Sequence, residues 1–358
     1  MTGEGTLTIF CTTIKGTGWY ATRTPIAMDF SEFEGTIVPR SSQDDPVLER
    51  FTMSKDGSMP KGTMDIGEKV EVQNNGRTFH IGKVTGSGSL GGSCAFDNNS
   101  TPGANTWKVG NDADWTTTVR ITSNANFQKV GTGRITWNGA NTNSGTTTIT
   151  EGELKIGSSA KLGTGKLSIQ SGAVLSGTNK STNPLGNSSV TVQGEVRPGS
   201  YNGAVSGSIF FNNKSVTFNS NSLLVIGASK NASATANGCT SIEGINTLTM
   251  NGTIRIVPSS SNTLAVGDSI RVFVATKLSG TPKFDMQGGI DWDTSRISEG
   301  LLIVKSVELG VSDLRRDNNA DPKAIYDLRG RKVRTANETA EGLPGGIYIR
   351  NGKKFIVK

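Results

Sequence analysis

The sequence has one histidine, His80, and three cysteines, Cys11, Cys94 and Cys239, far apart and without Cys-x-x-Cys spacing. A histidine-dependent triad or a Cys/His zinc site therefore lacks its raw material. A disulfide framework is excluded as well. A single Cys11–Cys94 bridge stays open in an oxidising compartment and would leave Cys239 odd; otherwise all three are small buried hydrophobes. Aromatic residues are scarce, at 6%. No run approaches the ~20 apolar residues of a spanning helix, so no membrane span is expected. The opening MTGEGTLTIFC has neither the basic nor the apolar region of a secretory signal. It reads like one unit of the repeat described below, so the sequence is expected to begin partway through a longer parent.

Charge excludes little. Lys and Arg outnumber Asp and Glu by 37 to 30, a net +7. The basic residues are scattered, with eleven of them after residue 313, and form no stripe for a polyanion. Nucleic acid is therefore not an expected partner.

Glycine is plentiful instead: 46 of 358 residues, against a usual level of about 7%. Apolar residues alternate over four to six positions and are then interrupted by Gly, Asn, Ser or Thr, which is strand-and-turn punctuation. Thr6–Ile9, Lys69–Val72, Arg134–Trp137, Glu153–Ile156, Lys166–Ile169, Ser189–Val192, Thr253–Ile256 and Ser269–Val272 all read this way. Only 45–51 and 228–236 have spacing suited to a helical turn or two. Gly-x-Gly-x-(Leu/Ile) recurs at Gly3-Gly5-Leu7, Gly86-Gly88-Leu90, Gly131-Gly133-Ile135 and Gly163-Gly165-Leu167. Recurrence of this kind predicts stacked coils of ~25 residues, each resting on its neighbours. An antiparallel sandwich remains the rival, because Asn-Gly, a hairpin dipeptide, occurs at 75–76, 138–139, 202–203, 251–252 and 351–352.

Residues 127–177 carry a longer pattern: Lys129, Gly131 and Gly133, an apolar strand, Gly139-Ala140-Asn141-Thr142, Gly145, a Thr-rich strand, Gly152 and Leu154, then Leu162-Gly163 and Gly165. This resembles the autotransporter-associated β-strand repeat. The likeness is good over 85–305 and loose before that, through Phe30–Thr36. Residues 264–304, with Trp292-Asp293-Thr294-Ser295 ahead of Gly300-Leu301-Leu302, look like the coil that ends such arrays. The resemblance implies an all-β, right-handed parallel β-helix (a solenoid) over 1–305 in a secreted or surface protein.

A second likeness lies at the C-terminus. After a polar linker over 306–322 come Ile325-Tyr326-Asp327-Leu328-Arg329-Gly330-Arg331-Lys332-Val333, Leu343-Pro344-Gly345-Gly346-Ile347-Tyr348-Ile349 and Asn351-Gly352-Lys353-Lys354-Phe355-Ile356-Val357-Lys358. The 323–358 segment is similar to the C-terminal sorting domain of the type IX secretion system of Bacteroidetes. The resemblance implies a small hairpin-rich β module, with Asp327, Gly330, Gly346, Tyr348, Gly352, Lys353 and Lys354 as the sorting signal. It also implies the secretion machinery as partner and the outer face of a Gram-negative envelope, or the medium, as destination.

Candidates for chemistry are thin. Gly86-x-Gly88-x-x-Gly91 matches a dinucleotide fingerprint as a string, but no helix can follow it in Gly92–Gly103. The enzymatic rival is a pectate-lyase-like site, needing Ca²⁺ held by carboxylates of neighbouring coils. Asp44-Asp45, Asp112-Ala113-Asp114 and Asp291-Trp292-Asp293 are the available clusters, and each reads as a turn or cap. No catalytic residue, metal ligand or cofactor is assigned, with Ca²⁺ reserved for the lyase alternative. Trp19, Tyr20 and Trp115 are the candidate glycan contacts. The expected function is a non-catalytic exported scaffold, adhesin-like or contacting a surface polysaccharide or host glycan. The alternative is part of a polysaccharide-degrading enzyme whose active region lies upstream or in the N-terminal coils.

Overall fold

The computed structural model describes residues 2–11, 24–26, 29–41, 48–53, 55–92, 105–199, 206–229, 238–259, 264–307, 323–328, 330–335, 337–351 and 353–357. The chain divides into two compact units, Met1–Val307 and Glu308–Lys358.

The alternating segments of the larger unit form strands, almost all of them paired in parallel. A twelve-stranded sheet runs from Thr6–Cys11 to Phe273–Ser279. A nine-stranded sheet runs from Trp115–Thr117 to Lys283–Met286, and a five-stranded one joins strands between Thr24–Ile26 and Arg120–Ile121. The chain visits the sheets in turn: Asn126–Lys129 lies in the first, Arg134–Trp137 in the second, and Ala140–Asn141 on a third side before Thr147–Ile149 returns to the first. Such long parallel sheets are compatible with a β-helix. One 3-10 turn, Ile297–Glu299, is the only helical element among the described residues. In the 45–51 segment, residues 49–51 belong to the strand Glu49–Met53, paired with Val70–Gln73, and 45–47 lie outside the described residues. Pairing with a neighbouring strand overrides the weak local spacing there. Most of the 228–236 segment lies outside the described residues.

Register fixes the core. Trp107, Phe127, Thr147 and Leu167 are successive partners, and equivalent positions in this stretch stand 20 residues apart. The interval then widens, so that the paired Thr249 and Ser279 are 30 residues apart. Because side chains alternate faces, one inward column reads Ile81, Val109, Lys129, Ile149, Ile169, Val192, Phe218 and Met250. Each large apolar side chain so buried is worth about 1.5–3 kcal/mol.

The glycine pairs have two separate jobs. Gly131 and Gly163 take φ of 76° and 77°, which favours a residue without a β-carbon. Gly133 and Gly165 lack room instead. A β-carbon there would overlap the carbonyl oxygens of Ala113 and Gly145, one repeat earlier.

The Asn-Gly dipeptides divide as well. Asn75-Gly76, Asn138-Gly139 and Asn251-Gly252 link strands of different sheets, so in the larger unit they are corners rather than hairpins. Residues 202–203 fall outside the described residues. In the smaller unit Asn351 (φ 53°) follows Gly346–Arg350, which pairs antiparallel with Lys353–Val357.

At the end of the larger unit the pattern changes. Ser269–Arg271 and Ile290–Asp293 both pair antiparallel with Leu301–Val307, and Ile270, Trp292, Leu302 and Val304 join the main core. The smaller unit is a four-stranded antiparallel sheet with its own core of Ile325, Leu343 and Tyr348.

Candidate functional site

Of the three aromatic glycan contacts expected, Trp115 turns inward and is buried. Trp115 is 7% exposed, and it shares an inward column with Ile135 and Leu154. Its parity along Trp115–Thr117 sends the indole into the core while Thr116 faces solvent. The other described tryptophans are buried too. Trp107 Nε1 donates to the Gly91 carbonyl (2.8 Å), and Trp137 Nε1 donates to Asn141 Oδ1 (3.0 Å). Trp19 and Tyr20 lie outside the described residues, as do Asp44, Asp45 and Cys94.

The remaining acidic clusters are corner fixtures. Asp112 Oδ1 accepts from the Thr132 amide (3.0 Å) and hydroxyl (2.8 Å), which hold its carboxyl below the usual range. Asp114 accepts from the Arg134 amide and guanidinium, both at 2.8 Å. Each carboxylate thus ties one repeat to the next. Asp293 accepts from the Ser295 amide (2.8 Å), again with a lowered pKa, and Asp291 lies 3.5 Å from Lys305. Among the described residues no group of three or more His, Cys, Asp or Glu side chains is placed to hold a metal ion. The Cys239 thiol, which donates to the Arg271 carbonyl, is pushed up by burial to about 11, so it is no nucleophile.

Two features escape a reading of the sequence. The first is Lys129, fully buried in an otherwise apolar column. Its Nζ donates to the carbonyls of Gly131, Gly133 and Glu151 at 2.5–3.0 Å, so all three protons are used. Burial lowers its pKa to about 8, against the attraction of Glu151 and Asp112. Only the Lys-x-Gly-x-Gly spacing signals this role. The second is the Glu71 network on the five-stranded sheet. Glu71, 5% exposed, accepts from Arg50 (3.2 Å), Gln73 (2.8 Å) and Thr122 (2.7 Å).

The outward face of the twelve-stranded sheet carries the most regular arrangement. Thr148, Ser168, Thr191, Thr217, Thr249 and Ser279 are successive register partners in one outward column. Thr191 is exposed and the others half-buried. Two residues further along each of the first five strands stand Thr150, Gln170, Gln193, Asn219 and Asn251, again outward and neutral. On the other flank stand, in order, Thr146, Lys166, Ser189, Ser215, Thr247 and Lys277, the two lysines being the only charges in the three columns.

The C-terminal residues assemble on the small sheet. Asp327 and Tyr348 are cross-strand partners, and Gly346, Lys353 and Lys354 lie on the adjoining hairpin. Asp327 accepts from the Arg331 amide (2.9 Å) and guanidinium (2.8 Å), closing a turn in which Gly330 has φ 76°. Tyr348 donates to the Pro344 carbonyl (2.9 Å), with its ring 6.0 Å from that of Phe355. Both lysines are exposed. Gly352 is outside the described residues. No helix of the described residues is long and apolar enough to cross a membrane.

No protein-family model matches the chain, and a search of curated proteins finds no match either.

Proposed function

We propose that residues 1–305 form a right-handed parallel β-helix and that 323–358 act as a type IX sorting module. On this reading the protein is a non-catalytic scaffold, adhesin-like or glycan-contacting, secreted or held on the outer face of a Gram-negative envelope. The observation that carries the reading is the in-register parallel stacking at 20-residue intervals. It runs through the segment that bears the autotransporter-like motif. Lys129, Gly131, Gly133 and Asn141, all motif residues, do identifiable work there in holding one coil on the next. Among the described residues, Asp112, Asp114 and Asp293 accept hydrogen bonds from nearby amides rather than standing free.

Export is tested with the full chain behind a Sec signal peptide in a Bacteroidetes host that has the type IX machinery. Removing residues 346–358 should leave the protein in the periplasm, and its appearance outside at the full level would sink the sorting role. In the purified protein, polygalacturonate with Ca²⁺ should yield no unsaturated product. Turnover that disappears with chelator would overturn the non-catalytic reading.

A further inference from the structure

We propose that the outward face of the twelve-stranded sheet, over the hydroxyl column from Thr148 to Ser279, binds an extended neutral polysaccharide. The proposal rests on the scaffold reading and names the surface and ligand class that reading leaves open. Six hydroxyl side chains in register repeat at the strand spacing of about 4.8 Å. That interval is comparable to the length of one sugar ring in an extended chain. A hydroxyl both donates and accepts, as a sugar hydroxyl does, so such a column can pair with a polyol at every strand. Some column hydroxyls bond within the sheet, Ser168 accepting from Gln170 and Thr249 sharing a proton with Ser279. Those of Thr148, Thr191 and Thr217 make no hydrogen bond to any described residue, which leaves them for a ligand.

Charge selects the partner. A polyanion needs a line of cations, and only Lys166 and Lys277 stand at the flank. A protein partner of ordinary kind needs aromatic or apolar anchors at the centre, and the three columns have none. No carboxylate is present to recruit a cation. Strand propensity explains threonine on a sheet but not the missing charge. The same sheet carries Lys61, Asp65, Lys83 and Lys108 earlier along its length.

Length variation leaves the hydroxyl column itself in register, since the shifts in the lengthened strands fall before it, between Phe210 and Val216 and between Ile242 and Ile245. As repeats lengthen, extra residues enter between the nine-stranded sheet and the next return to the twelve-stranded one, for instance between Glu195–Pro198 and Ser208–Phe218. The hydroxyl column stays unbroken across them. Each contact would be weak, so binding depends on many strands engaging one polymer together.

The experiment is depletion of the full chain from solution by crystalline cellulose and by chitin, at low and at 0.5 M salt (a condition of about 3–10 Å screening length). The expected result is salt-insensitive depletion by at least one of the fibres. It should weaken at least tenfold in the Thr191→Lys/Thr217→Lys variant and stay unchanged in Thr116→Lys, an exposed position on the nine-stranded sheet. If the double lysine variant does not keep the wild-type circular dichroism and melting point, Thr191→Val/Thr217→Val replaces it with the same expected loss. The proposal is overturned by absence of depletion on both fibres, by binding that the folded variant retains, or by binding that salt abolishes. Sugar released from the fibres would count against the non-catalytic reading without touching the surface. Absence of both binding and release would remove the surface and leave the scaffold.

Discussion

Two stretches of the twelve-stranded sheet share a backbone and differ in what they show to solvent. In the strands before Thr106, outward positions are laced by charge: Lys61 pairs with Glu34 (2.7 Å), Arg40 with Asp65, and Thr85 donates to Asp65 (2.9 Å). From Thr146 onward the three outward columns are hydroxyls and amides except for Lys166 and Lys277. The inward columns and the ladder of backbone bonds continue through both stretches. Exposed ion pairs contribute only about 0–1 kcal/mol, so the two surfaces are not alternative ways of stabilising the sheet. Stability resides in the inward columns and in the tight corners. The outward face is thereby free to vary with what it meets.

Mutations rank that claim. Gly133→Val should have the largest effect, above about 4 kcal/mol, because its side chain would occupy the place of the Ala113 carbonyl. Chemical denaturation of the purified protein measures it, and a loss under 1 kcal/mol would show that the corners are not where the stability lies.

Lys129→Met comes next. It strands the Gly131, Gly133 and Glu151 carbonyls, at a cost of about 2–4 kcal/mol in the unfolding free energy. The wild-type lysine also carries a pH signature. Its folded pKa of about 8 lies below the ordinary 10.5, so between those values the unfolded chain binds the proton more tightly. Stability then rises with pH through that window. The gap in urea midpoint between wild type and the Met variant should therefore widen from pH 7 to pH 10, because only the wild type has this group to lose its proton; a gap that stays constant or narrows would refute the pH signature.

Lys61→Ala ranks last, with little or no change in the unfolding midpoint, because its pair with Glu34 is exposed to solvent. A cost comparable to that of Lys129→Met would erase the distinction drawn between the two surfaces.

Much of the strand pattern was legible because alternation of apolar and polar residues is a local property. Arg134–Trp137, Glu153–Ile156 and Ser189–Val192 form strands within the bounds read from the sequence. Pairing was harder. Asn-Gly serves as a corner at 138–139 and precedes a hairpin return at 351, and nothing in the dipeptide distinguishes the two. Which use prevails depends on whether the next strand joins its neighbour or a different sheet.

The site was less legible. Trp115 sits beside Asp114 in a polar stretch and reads as exposed, yet a shift of one residue along a strand exchanges solvent for core. Lys129 was hidden because buried lysine is rare; its partners are carbonyls, which leave no trace in the side-chain sequence. The hydroxyl column was missed for a different reason. Each Thr or Ser is ordinary in its own strand, and the column exists only once register sets Thr148 beside Ser168 and Thr191 beside Thr217.

The antiparallel sheet at Ser269–Arg271, Ile290–Asp293 and Leu301–Val307 also bears on self-association. In-register parallel strands with an open edge template the addition of further chains, which is how fibrils elongate. The antiparallel strands form a sheet of their own rather than extending either parallel ladder, and they add Trp292, Ile270 and Leu302 to the same core, so a second copy stacking there would meet strands of mixed direction.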